Sequence, residues 1–150
     1  MRKWVCLVLA ALLLAGSCAM AEQKVQLPDS RFYLMLPDEM EYDGPGPQDG
    51  AKFAYVAEKL GLDISFFSYD GKGAELSEMV QELVADGADA ALYSIAGQEM
   101  IVYRTEDPED HAKCIGYVLK DGENLVEIVF FYATQKAADM IEEIMLSLTE

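Results

Sequence analysis

Short connections between apolar segments constrain the fold of this 150-residue chain more than any other feature. Three pairs of segments are separated by only three or four residues: 52–57 and 62–69, 91–95 and 100–105, and 113–120 and 124–133. Connections this short join antiparallel strands, and the last of them carries the turn-forming pair Asp121-Gly122. A further strand, 31–36, ends at Pro37. We therefore predict a largely antiparallel sheet of about six or seven strands.

Two other segments have the spacing of amphipathic helices, in which apolar residues recur three and four positions apart. The first lies between Glu75 and Asp86, and the second follows Thr134, a suitable N-cap, and is predicted to run to the C-terminus. The apolar stripes consist of Leu76, Met79, Val80, Leu83 and Val84 in the first helix, and Ala137, Ile141, Ile144, Met145 and Leu148 in the second. The predicted fold class is α+β, with the element order β-β-β-α-β-β-β-β-α. The nearly unbroken apolar segment 124–133 is predicted to be a central strand, since such a strand is covered on both faces.

Three features together resemble the PsbP-like fold. They are the strand 32–36 that ends at Pro37, the hairpin 95–103 that turns at Gly97, and the exit of the strand 130–133 into a C-terminal amphipathic helix after Thr134. The resemblance covers about residues 27–149. This family includes extrinsic photosystem subunits, a Ran-binding nuclear import factor and small bacterial lipoproteins. The resemblance implies an antiparallel sheet packed with helices and a non-catalytic binding or accessory role, and it supplies no catalytic residues.

The N-terminus has the pattern of a secretory signal peptide. A basic start, Met1-Arg2-Lys3, precedes a charge-free segment 4–15 and the small-x-small site Ala19-Met20-Ala21. The apolar segment is shorter than the ~20 residues of a membrane-spanning helix. We predict a signal peptide at 1–21, a single domain at 22–150, a secreted or extracytoplasmic location and no transmembrane segment after processing. The alternative is a membrane-anchored lipoprotein acylated at Cys18, since 14–18 loosely resembles a lipobox.

The charge of the chain is strongly negative. There are 11 Lys and Arg against 27 Asp and Glu, a net charge of −16. Cleavage after Ala21 would leave nine against 27, a net charge of −18. Nucleic-acid binding is excluded as a function class because it depends on basic residues that neutralise phosphates. The charge favours a basic partner, which we expect to be a protein or a cell-envelope component, or bound cations.

No motif of a known catalytic site occurs in the sequence, and we expect no cofactor. His111 and Cys114, three residues apart on a strand, would point to opposite faces and could not act together. Glu127 interrupts the most apolar strand, with Arg104, Lys113 or His111 as candidate ion-pair partners. We predict a non-catalytic binding or accessory domain. A small enzyme that uses Glu127 or His111 is an alternative.

The segment 106–110 holds the densest group of carboxylates. Glu106, Asp107, Glu109 and Asp110 supply the oxygen ligands that Ca²⁺ prefers, although no EF-hand spacing is present. A solvated acidic turn at Pro108 explains the same residues. We therefore keep a Ca²⁺ or other cation site as an alternative function.

The loop that follows the first predicted strand is a candidate contact surface. Met40 and Tyr42 stand among acidic residues there, and we expect both side chains to be exposed and available to a partner. The remaining tyrosines of the mature chain fall in predicted strands, where we expect them to pack within the sheet.

Overall fold

The computed structural model describes residues 22–106 and 112–150. The predicted signal peptide, with Cys18, lies outside the described residues, and so do Asp107, Glu109, Asp110 and His111. The described strands are β1 (Glu22–Gln26), β2 (Tyr33–Pro37), β3 (Glu41–Tyr42), β4 (Phe53–Ala57), β5 (Leu62–Asp70), β6 (Asp89–Ile95), β7 (Gln98–Glu106), β8 (Lys113–Asp121) and β9 (Asn124–Tyr132). The helices are α1 (Leu76–Ala85), α2 (Gln135–Leu146) and a short 3-10 helix, Glu58–Leu60. None of the helices within the described ranges is long and apolar enough to cross a membrane.

The main sheet has seven strands in the order β3-β4-β5-β9-β8-β7-β6, and every neighbouring pair is antiparallel. Strand β9 lies at its centre, as predicted. The antiparallel α+β architecture and the order of the predicted elements are confirmed. Two short strands, β1 and β3, were not predicted, and the predicted strand 31–36 pairs with β1 in a separate two-stranded ribbon rather than in the main sheet.

One face of the sheet, here called the inner face, carries the main core. Helix α2 and the β1–β2 ribbon cover it, and residues of the ribbon, the sheet and the helix form one cluster. Fully buried side chains in this cluster include Phe32, Leu34, Leu36, Ile64, Phe66, Ile128 and Phe130.

Helix α2 begins where the sequence predicts but ends before the C-terminus. The Thr134 hydroxyl accepts a hydrogen bond from the Ala137 amide at 3.1 Å, which is an N-cap. The helix ends at Leu146 because Ser147 turns its hydroxyl to the Ile144 carbonyl and accepts from the Met35 amide of the ribbon. The last residues then pair with β2 rather than extending the helix.

Described residues cover only part of the opposite face, here called the outer face. Helix α1 packs over β6 and β7 through half-buried side chains on one side of the helix, and Val84 of the predicted stripe is 51% exposed. At the other edge, the loop 43–52 folds back over β4 and β5. Gly46 approaches Ala54 so closely there, with φ at +65°, that a Cβ would clash. The middle of this face lies between α1 and the loop.

The β1–β2 ribbon is fixed to the sheet by Asp121, the last residue of β8. Its carboxylate accepts hydrogen bonds from the Arg31 amide at 2.8 Å and the Ser30 hydroxyl at 3.0 Å. The Arg31 Nε lies 3.1 Å from the other carboxylate oxygen. The Asn124 side chain adds a hydrogen bond to the Asp29 carbonyl at 2.9 Å, so Asp121 and Asn124 together hold the turn of the ribbon against the β8–β9 turn.

Candidate functional site

A carboxylate at the middle of the outer face is held by two tyrosines. Glu127 of β9 accepts hydrogen bonds from the Tyr69 hydroxyl at 2.9 Å and from the Tyr103 hydroxyl at 2.5 Å. Tyr69 comes from β5, the strand next to β9, and Tyr103 comes from β7, on the far side of β8. Each tyrosine engages a different carboxylate oxygen, so the orientation of the group is fixed from both sides.

Tyr103 reaches Glu127 because its cross-strand partner on β8 has no side chain. Tyr103 pairs with Gly116, and a Cβ at Gly116 would overlap the tyrosine ring. The ring lies over the glycine and carries its hydroxyl across β8 to β9. Gly116 does not have a positive φ, so the requirement for glycine here is space rather than backbone conformation.

The environment of the cluster keeps both tyrosines neutral. Burial foremost, and then the negative charge of Glu127 and the hydrogen bond to it, raise the pKa of Tyr103 well above the ordinary value. The same causes, in the same order, raise the pKa of Tyr69. Both hydroxyls therefore remain donors to Glu127 throughout the neutral range.

The cluster lies between two depressions of the outer face. One is a groove of about 650 Å³, lined by Gln48, Phe67, Tyr103, Thr105, Glu106, Ala112, Cys114, Glu127, Val129 and Phe131. The other, of about 200 Å³, lies beside α1 and is lined by Tyr69, Met79, Glu82, Leu83, Asp86, Tyr103, Val118, Leu125 and Glu127. Glu127 and Tyr103 line both. Among the described residues that line them there are four carboxylates and no Lys or Arg.

Cys114 lines the groove as a half-buried thiol. Burial foremost raises its pKa, a hydrogen bond with Thr105 opposes the shift, and the charge of Glu127 adds to it. A raised pKa keeps the side chain a thiol rather than the nucleophilic thiolate at neutral pH. The pairing of Cys114 with His111, considered from the sequence, involves a residue outside the described ranges.

Glu127 does not form an ion pair with Arg104 or Lys113, two of the partners expected from the sequence. Arg104 follows Tyr103 in β7 and therefore points to the inner face, where it lines a separate pocket. Lys113 pairs with Tyr132, which packs against the inner core. Within the described residues no Lys or Arg lies within ion-pair distance of Glu127.

The two residues of the predicted contact loop have different positions. Tyr42 is 65% exposed on the edge strand β3, with its ring 5.6 Å from that of Tyr55. The expectation that Met40 is exposed is wrong, because its side chain is 2% exposed and belongs to the inner core. Met40 buries its apolar side chain although its sequence neighbours are acidic, because methionine is among the residues most often found in protein cores.

One described residue of the acidic segment, Glu106, lines the groove. Glu106 ends β7, whereas the other three proposed ligands lie outside the described residues. Within residues 22–106 and 112–150, no group of three His, Cys, Asp or Glu side chains could hold a metal ion. The cation-site hypothesis for 106–110 stays a prediction.

Sequence reasoning missed Tyr69 and Tyr103 as functional candidates, because tyrosine in a strand is ordinarily a packing residue. The signal that could have found them is strand alternation combined with pairing. In β5, β7 and β9 these two tyrosines and Glu127 share one face of the sheet once the order of the strands is known.

Comparison of the sequence with protein-family models and with curated proteins finds no match. Solved structures do match. A crystal structure from Bacteroides thetaiotaomicron is 14% identical with a TM-score of 0.62, and the match covers 85% of this chain but 47% of that protein's length. The solution structure of cyanobacterial PsbP (CyanoP) from Synechocystis sp. PCC 6803 is 10% identical with a TM-score of 0.63, covering 87% of this chain and 92% of the other. At these identities the likeness concerns architecture alone: the chain has a PsbP-like fold.

Proposed function

We propose that this chain is an exported, non-catalytic binding domain that captures a positively charged partner in the groove of its outer face. The observation that carries the proposal is the Glu127 carboxylate, oriented by two tyrosine hydroxyls and not paired with any described Lys or Arg. The PsbP-like fold supports a binding or accessory role, and the pattern of residues 1–21 supports export.

The charges around Glu127 favour a cation over an anion. Glu82 of α1 and Asp86, which follows the helix, line the smaller depression, and Glu106 lines the groove. The whole chain carries a net charge of −16. Carboxylates that line one depression raise the local concentration of positive groups and speed their association.

The side chains of the groove also favour binding over chemistry. Glu127 has its hydrogen-bond donors on two strands, an arrangement that holds a charge in place, and the pKa of Cys114 is raised rather than lowered. A nucleophilic cysteine needs the opposite change, a pKa lowered towards neutrality.

Binding to a short oligolysine peptide tests the proposal. The peptide is titrated into the purified, ¹⁵N-labelled protein, with an oligoglutamate peptide of equal length as the control. We expect amide shifts that concentrate on the groove-lining residues of β7, β8 and β9. We also expect the affinity to fall by about tenfold or more between low salt and about 0.5 M salt.

Two results would contradict the proposed function. The first is no binding of oligolysine at low salt. The second is binding whose amide shifts lie away from the groove. Mass spectrometry of the recovered peptide tests the non-catalytic part, since a cleaved or modified peptide would contradict it.

A further inference from the structure

Aromatic rings flank the Glu127 carboxylate where it faces the groove. The rings of Phe67 and Tyr69 on β5 are nearly parallel, with centroids 6.2 Å apart, and Tyr103 lies on the other side of Glu127. Aromatic rings attract cations at their faces, and Glu127 lies at the hydroxyl ends of two of these rings. A carboxylate next to aromatic rings is therefore suited to a positive group.

The hydrogen bonds already present at Glu127 favour a compact cation. An ionised carboxylate offers about four acceptor positions on its two oxygens, and one position on each oxygen is taken by a tyrosine. A guanidinium binds best as a fork across both oxygens, where it competes with the two hydroxyls. An ammonium group is a point charge that needs only one oxygen.

The groove beside Glu127 provides an apolar surface for an aliphatic chain. Phe67, Val129 and Phe131 line it on the same sheet face; Phe67 and Val129 form its largely buried floor, and Phe131 is partly exposed. A volume of about 650 Å³ lies within the range of small-ligand sites. Lysine combines a terminal ammonium with a four-carbon stem that packs along apolar surface.

We propose that the groove binds a lysine side chain of the partner, with its ammonium on Glu127 and its stem along Phe67, Val129 and Phe131. This inference rests on the proposed function and adds the chemical class that is recognised: a primary ammonium on an aliphatic chain, in preference to a guanidinium.

The test compares oligolysine, oligoarginine and fully acetylated oligolysine peptides of equal length. We expect the protein to bind oligolysine about fivefold or more tightly than oligoarginine, and acetylation to abolish binding. The variant Glu127→Gln should weaken oligolysine binding by about tenfold or more and remove the preference over oligoarginine. The matched control, Glu123→Gln, removes the same charge from the exposed β8–β9 turn and should change the affinity less than about twofold.

A measurement on the unmodified protein covers the case in which Glu127→Gln fails to fold. In protein labelled with ¹³C at glutamate, oligolysine should move the Cδ resonance of Glu127 more than that of Glu123. If oligolysine binds in the groove but oligoarginine binds equally well, the lysine site is overturned and the proposed function stands. If oligolysine binds and the Glu127 resonance does not move, both are overturned, because the proposed function depends on Glu127. If no basic peptide binds, both fail.

Discussion

Gly116 is buried beneath the ring of Tyr103, and this contact lets a side chain of β7 reach Glu127 two strands away. Because Gly116 has no side chain, Tyr103 and Glu127 can form a hydrogen bond although their strands are not neighbours in the sheet. A tyrosine above any larger residue on β8 would have to lift away from the sheet.

Substitution Gly116→Ala tests this contact. The added Cβ overlaps the Tyr103 ring, so we expect a loss of about 1–3 kcal/mol in the free energy of unfolding, measured by denaturant titration. The same substitution made in a Tyr103→Ala background should cost much less, because the overlapping ring is gone. Equal costs in the two backgrounds would show that the ring does not lie where we describe it.

The sequence identifies Glu127 as unusual but does not identify its partners. A glutamate within an apolar strand is unusual and can be recognised from the sequence, whereas the sequence around Tyr69 and Tyr103 does not distinguish them from the other strand tyrosines. Their role depends on strand order, which places β8 between Tyr103 and Glu127. Pairing between strands distant in the sequence is not encoded in the local pattern, and so Arg104 and Lys113, on the wrong face, were equally plausible partners.

At the scale of elements, the turn of the β1–β2 ribbon is attached to the sheet mainly through one acidic side chain, Asp121, together with the Asn124 amide, which donates to the Asp29 carbonyl. Asp121 accepts two hydrogen bonds from the ribbon turn and pairs with Arg31. Its side chain is only 12% exposed, whereas that of Arg31 is 63% exposed. We therefore expect the hydrogen bonds to the Asp121 carboxylate to stabilise the attachment more than the ion pair with the exposed Arg31 side chain does.

We expect Asp121→Ala to lower the free energy of unfolding by about 1–2 kcal/mol and to speed amide hydrogen exchange in β1 and β2 more than in β9. Arg31→Gln keeps the backbone amide that donates to Asp121 and should cost less than about 1 kcal/mol. If Arg31→Gln lowered the free energy of unfolding more than Asp121→Ala did, the ion pair would contribute more than the hydrogen bonds, contrary to our expectation.

The elements themselves follow closely from the sequence where the local signals are strong. The Thr134 cap, the two helices and the strands around Gly122 are present where the sequence predicts them, apart from the earlier end of α2, because capping, periodicity and turn preference act over a few residues. Strand β1 was missed because Glu22–Gln26 is mostly polar and buries only Val25. Strand β3 is two residues long, too short to show an alternation.

At the scale of the whole molecule, several tyrosines are neutral and partly or fully buried, which makes stability sensitive to alkaline pH. Burial foremost, with Glu142 and Tyr132 adding to it and Arg104 opposing it, raises the pKa of Tyr117 to about 12. The pKa values of Tyr69 and Tyr103 are raised as well. An unfolded tyrosine ionises near pH 10, so above that pH the unfolded chain has lost protons that the folded chain keeps.

The stabilising contribution of these tyrosines is therefore complete below about pH 10 and is lost as the pH rises towards their folded pKa values. We expect the free energy of unfolding, measured in urea, to decrease from pH 9 to pH 11. Tyr103→Phe removes one such group and should make the decrease less steep. An identical slope for the variant and the parent would contradict a neutral Tyr103 in the folded protein.

The space above Glu127 on the outer face lies between two separate chain connections, and its width depends on how much of the sheet each connection covers. The loop 43–52 belongs to the link between β3 and β4, and α1 belongs to the link between β5 and β6. Neither connection contributes to the pairing of β9 with its neighbours. Insertions or deletions in either one would widen, narrow or close the space above Glu127 while every strand kept its partner, so a change of ligand needs no change of architecture.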